Sequence, residues 1–225
     1  MKKLLLPLFA LVVTLVTAFT ANAQDAKGEV KGDVQAGERK IAMCIGCHGI
    51  VGYQASFPEI YKVPKISGQG AKYIVSALNA YKKGERKHPS MRGIAESLTD
   101  QDMADLAAYY EKHGVVAGAA VAGPAAGGSD KAATLLKKGA CVSCHGANFA
   151  SPIDPTYPKI AGQHADYLFV ALKAYKTENN AQVGRANGVM GGIAKQFTNA
   201  EMKELAVYLS ALPGDLKVVP QAKFR

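Results

Sequence analysis

The chain has 225 residues, 48% of them apolar and 20% charged, with a formal net charge of +9 at pH 7. So large an apolar share excludes a disordered chain, and the length admits one medium domain or two small ones. The positive balance stands without any nucleic-acid motif beside it, so no nucleic-acid partner is expected.

Lys2 and Lys3 precede an almost wholly apolar run from Leu4 to Phe19, followed by Ala21-Asn22-Ala23. A basic start, a short apolar stretch and a small-x-small site make residues 1–23 a secretory signal peptide, cleaved after Ala23. The run falls just short of the about 17–25 residues that span a bilayer. Its removal takes the net charge from +9 to +7. Export also sets the redox compartment, where four cysteines would ordinarily be read as two disulfides.

In chain order, a helix is predicted from Gly32 or Asp33 into Cys44-Ile45-Gly46-Cys47-His48. Pro64-Lys65-Ile66-Ser67-Gly68-Gln69 follows. Ile74, Ala77, Leu78 and Tyr81 then share one face of a helix over 71–81. Met91-x-Gly93-Ile94-Ala95 reads as an irregular loop. Thr99 and Asp102 form a capping box for a last helix reaching about Lys112. Residues 114–128, GVVAGAAVAGPAAGG, carry no charge and no apolar period, and read as a linker lying against the protein.

The same order then returns. Ser129-Asp130 opens a helix into Cys141-Val142-Ser143-Cys144-His145, and Pro158-Lys159-Ile160-Ala161-Gly162-Gln163 repeats the proline block. Leu168, Ala171, Leu172 and Tyr175 repeat the helix face, Met190-x-Gly192-Ile193-Ala194 repeats the methionine block, and Thr198 with Glu201 repeats the box before a helix to about Ala211. Length differences fall between these blocks, which marks a duplicated domain: residues 24–113 and 129–225. No alternating β pattern of useful length occurs, so the fold is expected to be all-α.

Three chemistries use Cys-x-x-Cys. A thioredoxin-like dithiol needs a preceding β-strand, and none is predicted. A zinc site could take the cysteines, but adjacent Cys47 and His48 converge awkwardly on one ion. Covalent haem attachment uses two cysteine sulfurs on the porphyrin edge and the following histidine beneath the iron, which is what Cys-x-x-Cys-His supplies. The residues therefore assign two haem c groups. One is attached through Cys44 and Cys47 with His48 as iron ligand, the other through Cys141 and Cys144 with His145. No cysteine then remains for a disulfide.

The opposite iron ligand decides between a carrier and a reactive centre. His88, His113 and His164 are not repeated as histidines, so a His/His scheme in both domains is not expected; they read as a surface turn, a charge at a helix C-terminus and a helix-start surface residue. Met103 and Met202 are explained as core, each completing a hydrophobic staple with Leu98 or Phe197. Met91 and Met190 remain as the ligands, with glycine beside them letting backbone approach the disc. Pro64 and Pro158 are assigned as the carbonyl acceptors that orient the histidines. Tyr73, Tyr81, Tyr167 and Tyr175 read as core or haem-edge packing.

On these motifs each half resembles the class I c-type cytochromes, and the whole resembles the dihaem family called cytochrome c4. The resemblance implies two tandem class I cytochrome c domains related by a pseudo-twofold, with the haems near the interface. It implies a periplasmic electron carrier rather than an enzyme, loosely associated with the inner membrane. Its partners would be an electron donor such as a cytochrome bc1 complex and an acceptor such as a terminal oxidase. Arg92 stands where the second copy has Gly191, so the two haem environments need not match. Lys82, Lys83, Arg86 and Lys87 form a basic run suited to acidic docking surfaces or to plain solvation. The alternatives are a dihaem peroxidase-like enzyme, which needs one open iron, and a fixed haem subunit of a respiratory complex, which needs an extended apolar patch.

Overall fold

The computed structural model describes residues 30–115 and 130–220. The expected signal peptide at 1–23, and all of the expected linker except Gly114 and Val115, lie outside the described residues.

The first half runs α1 (Val34–Glu38), α2 (Ala42–His48), β1 (Gln54–Ala55), β2 (Tyr61–Lys62), α3 (Ala71–Lys82), β3 (Arg86–Lys87), α4 (Pro89–Glu96) and α5 (Asp100–Lys112). The second runs α6 (Asp130–Lys138), α7 (Val142–His145), α8 (Ala165–Lys176), β4 (Gly184–Arg185), α9 (Gly188–Lys195) and α10 (Asn199–Ala211). Strands are minimal. β1 and β2 make an antiparallel pair inside the first half, and β3 pairs antiparallel with β4, with Arg86 opposite Arg185. No helix among the described residues is long and apolar enough to cross a membrane.

Local chemistry sets the helix ends. Asp33 caps α1 by accepting the Ala36 N–H at 2.6 Å. Both expected capping boxes form: Thr99 and Asp102 bond each other's backbone N–H at the start of α5, and Thr198 and Glu201 do so at α10. The staples pack as the sequence implies, with Leu98 and Phe197 buried and Met103 and Met202 both 0% exposed. Around Met103 gather Ile41, Ile45, Ile74, Leu106 and Tyr110; around Met202 gather Leu135, Phe149, Leu168, Leu205 and Leu209.

In the first half, α1 crosses α5 at backbone contact. A Cβ on Gly37 would sit 2.1 Å from the Asp105 carbonyl oxygen, so only glycine admits this approach. The crossing is pinned by the Asp105 carboxylate, 2% exposed. It accepts the Asp33 N–H at 2.8 Å, Gln101 Nε2 at 2.8 Å and Lys40 Nζ at 2.6 Å. Burial works to raise this carboxyl, but its bonds to Lys40, Asp33 and Gln101 outweigh that and hold it below the ordinary 3.8.

The halves are tied by polar contacts. Gln69 Nε2 donates to the Lys159 carbonyl at 2.9 Å, and Gln163 Nε2 donates to the Lys65 carbonyl at 2.9 Å. The Lys62 N–H and ammonium both reach Asp166, and Lys173 pairs with Glu59. The Ala186 N–H extends the β3–β4 pairing to the Glu85 carbonyl at 2.7 Å.

Replacing Asp105 with Asn should cost the holoprotein about 1–3 kcal/mol by weakening the bonds this buried side chain accepts. A carboxyl depressed in the folded state adds stability above its unfolded pKa and loses it as pH falls through the folded value. Urea titrations at neutral pH and below about pH 4 should therefore show a stability gap that narrows in acid.

Candidate haem sites

Each Cys-x-x-Cys-His turn is helical. Cys44, Cys47 and His48 lie in the last turns of α2, and Cys141, the N-cap of α7, is followed by Cys144 and His145 within it. Spacings of three and four residues bring three side chains to one face of a turn. All four thiols are free, and burial pushes the Cys44 thiol up to about 11 and raises that of Cys141.

The imidazoles are oriented identically. His48 Nδ1 donates to the Pro64 carbonyl at 2.8 Å, and His145 Nδ1 donates to the Pro158 carbonyl at 3.0 Å. A carbonyl only accepts, so the proton sits on Nδ1 and the Nε2 lone pair is left for a metal. Burial lowers both histidines' pKa values, which favours the neutral, ligating form.

A cavity of about 880 Å³ lies against both turns and runs through both halves. That is near the top of the roughly 300–1,000 Å³ range of ligand clefts. All four cysteines, both histidines, Met91 and Met190 line it, whereas Met103 and Met202 do not.

One expectation fails here. Met91 and Met190 are not in irregular loops; each is the third residue of an eight-residue helix, α4 or α9. Pro89 starts α4, where its fixed φ is suitable and its missing N–H is not needed. His88 Nδ1 accepts the Met91 N–H at 3.4 Å, and Asn187 Oδ1 accepts the Met190 N–H at 2.9 Å. These caps, with Ala95 and Ala194 fully buried beneath, hold a glycine-containing segment helical. His88 is thus a helix cap and cavity-lining residue, and Asn187 its counterpart. His113 also differs from a charged helix end. It stacks on Tyr109 at 4.7 Å between centroids, its Nδ1 meets Ser67 Oγ at 2.9 Å, and burial lowers its pKa.

The tyrosines do more than pack. Arg86 and Arg185, paired across β3–β4, turn their guanidiniums into the cavity wall among them. Arg86 donates to Tyr167 Oη at 2.7 Å and Tyr73 Oη at 3.3 Å and lies over the Tyr81 ring at 4.5 Å. Arg185 donates to Tyr167 Oη at 3.1 Å and Tyr175 Oη at 3.4 Å. Burial works to raise the Tyr167 phenol, yet the two guanidiniums bring it down to about 8. Arg86 therefore leaves the basic surface run in which the sequence placed it. Its recurrence as Arg185, in step with Met91 and Met190, was the available signal.

Neither guanidinium has a carboxylate partner among the ion pairs of the described residues. Arg86 Nε, facing this cavity, is buried with no acceptor among the described residues. Two like charges and an orphaned donor are costly unless an anion meets them. A flat apolar disc edged with carboxylates is such a group, so these residues fit haem.

Helices around a paired Cys-x-x-Cys-His cavity define a tandem c-type cytochrome. The family model described as Cytochrome c matches residues 34–113 and again 129–213. The chain is 31% identical over 214 residues to cytochrome c4 of Azotobacter vinelandii, covering 88% of this chain and 98% of that one. It is 30% identical over 207 residues to a thiosulfate dehydrogenase electron acceptor of Stutzerimonas stutzeri strain A1501, covering 88% and 91%. The crystal structure of reduced recombinant cytochrome c4 from Pseudomonas stutzeri superposes with a TM-score of 0.58 at 28% identity, covering 80% of this chain and 99% of that one. The chain belongs to the cytochrome c family and, within it, to the dihaem cytochromes c4. It has two tandem class I domains, carries two covalently attached haem c groups, and transfers electrons between redox partners.

Arg86→Gln and Arg185→Gln should each lower reduction potentials, because a nearby cation favours the ferrous state. The shift expected of one charge at an effective dielectric near 20 is on the order of tens of millivolts, read by spectroelectrochemical titration.

Proposed function

We propose that His48 and Met91 are the axial ligands of one iron and His145 and Met190 those of the other. Cys44 and Cys47, and Cys141 and Cys144, would provide the thioether links, and Pro64 and Pro158 hold the histidines from behind. The observation that carries this reading is the duplicated geometry. In each half an Nδ1-anchored histidine and a methionine on a capped helix line the same cavity.

When bound, each haem supplies an iron that exchanges one electron by cycling between ferrous and ferric. The residues set how easily. Pro64 and Pro158 keep the Nδ1 protons in place, so His48 and His145 present Nε2 in both oxidation states. The thioethers of Met91 and Met190 are soft donors that favour the reduced metal and raise the potential. Capped helix ends hold those thioethers in place, which limits rearrangement during transfer. Arg86, Arg185 and the hydroxyls of Tyr73, Tyr167 and Tyr175 would provide donors for the haem carboxylates.

The protein we infer is a periplasmic carrier and not an enzyme, with residues 24–113 and 129–225 as its domains and 1–23 removed on export. It takes electrons from a cytochrome bc1 complex or similar donor and delivers them toward a terminal oxidase, with peripheral attachment to the inner membrane. Both halves place a methionine at the cavity, which favours this over a peroxidase needing one open iron. A second reading of the donor has its own support, since a relative named thiosulfate dehydrogenase electron acceptor matches over 88% of this chain and 91% of its own length. A dehydrogenase of that kind would feed the same two haems.

Met91→Ala should turn one of two low-spin haems high-spin and lower one potential while sparing the other; Met190→Ala should do the same to the other haem. Optical redox titration reads both. A haem-to-chain ratio of one, or a high-spin ferric spectrum with rapid peroxide turnover in the unsubstituted protein, would remove the carrier assignment.

A further inference from the structure

The peptide that holds each proximal histidine is itself held by the opposite half. The Pro64 carbonyl accepts from His48 Nδ1 at 2.8 Å. The N–H of that same peptide unit, on Lys65, donates to Gln163 Oε1 at 3.0 Å. Gln163 closes the pair by donating Nε2 to the Lys65 carbonyl at 2.9 Å. The mirror arrangement is complete. His145 Nδ1 donates to Pro158, the Lys159 N–H donates to Gln69 Oε1 at 2.9 Å, and Gln69 Nε2 donates to the Lys159 carbonyl at 2.9 Å. Both glutamines are 4% exposed. Each Oε1 also accepts the next residue's N–H, from Gly70 or His164. Flipping either amide would set N–H against N–H, so the orientation is fixed by its partners.

We propose that Gln163 tunes the iron of the first half and Gln69 the iron of the second, each acting as a positioning residue through one peptide plane. This rests on His48 and His145 being iron ligands. An amide whose N–H is bonded has a more electron-rich carbonyl, because hydrogen bonds in a chain polarise one another. That carbonyl draws the Nδ1 proton more strongly, makes the imidazole a stronger donor, and favours the ferric state. The glutamine therefore lowers the potential of the haem it does not share a half with. Interface packing alone does not require this arrangement. Lys173–Glu59 and Lys62–Asp166 also join the halves and touch neither proline peptide.

The test uses the holoprotein with ¹⁵N-labelled histidine. In Gln163→Leu, the His48 Nδ1–H resonance of the ferrous protein should move while that of His145 stays, and the first haem's ferrous-to-ferric ratio at fixed potential should rise about two- to tenfold. Gln69→Leu should give the mirror result. Gln163→Glu keeps an acceptor, and a stronger one, so its His48 Nδ1–H resonance should shift opposite to that of leucine; its added charge acts on both potentials, so the resonance alone is read for this variant. Glu59→Gln, which breaks a contact between the halves elsewhere, should move neither resonance. The proposal is overturned if each leucine variant affects its own half, if it moves both haems equally or neither, or if leucine and glutamate shift the Nδ1–H resonance the same way. Failure of the ligation reading shows separately, as high-spin haem in the unsubstituted protein.

Discussion

A histidine that is to bind a metal through Nε2 needs its other nitrogen fixed by an acceptor that cannot move. Here that acceptor is a backbone carbonyl placed by proline, at 2.8 Å in one half and 3.0 Å in the other. Much of the site depends on it. The carbonyl settles the tautomer, the tautomer settles which nitrogen keeps a free lone pair, and burial favours the neutral ring. The proline loops are rigid because the following residues, through Gln69 and Gln163, are locked against the opposite half.

The halves are consequently not two beads on a string. Each brings its own helices, staple and capping box, and could be described alone to that extent. The cavity could not. Arg86 and Arg185 face one another across a sheet that has one strand from each half, and Tyr167 of the second half bonds both guanidiniums. Duplication followed by docking has made a polar seam along which each half completes the surroundings of the other's redox centre. That seam suits a protein that handles two electrons, because it is rich in donors held by contacts from both halves.

Much of this was legible in the sequence because it is local. Cys44, Cys47 and His48 announce their chemistry by spacing, the proline, glutamine and methionine blocks recur in order, and Thr99-x-x-Asp102 and Thr198-x-x-Glu201 mark helix starts that the structure reproduces. Met91 and Met190 read as loop residues standing apart from the preceding helix, yet His88, Pro89 and Asn187 supply enough end stabilisation to make each segment helical. The Arg–Tyr cluster and the glutamine clamps were hidden for another reason. Repetition says that a residue occurs twice, but not that one copy faces the other, so Arg86 looked like part of a surface run and Gln69 only like the end of a repeated block.

The two guanidiniums carry one more consequence. Held side by side with phenols and, among the described residues, no carboxylate partner, they repel whenever the seam is shut without anions between its walls. Carboxylates of a bound porphyrin would offset that repulsion, so anion binding and closure of the seam would strengthen one another by linkage.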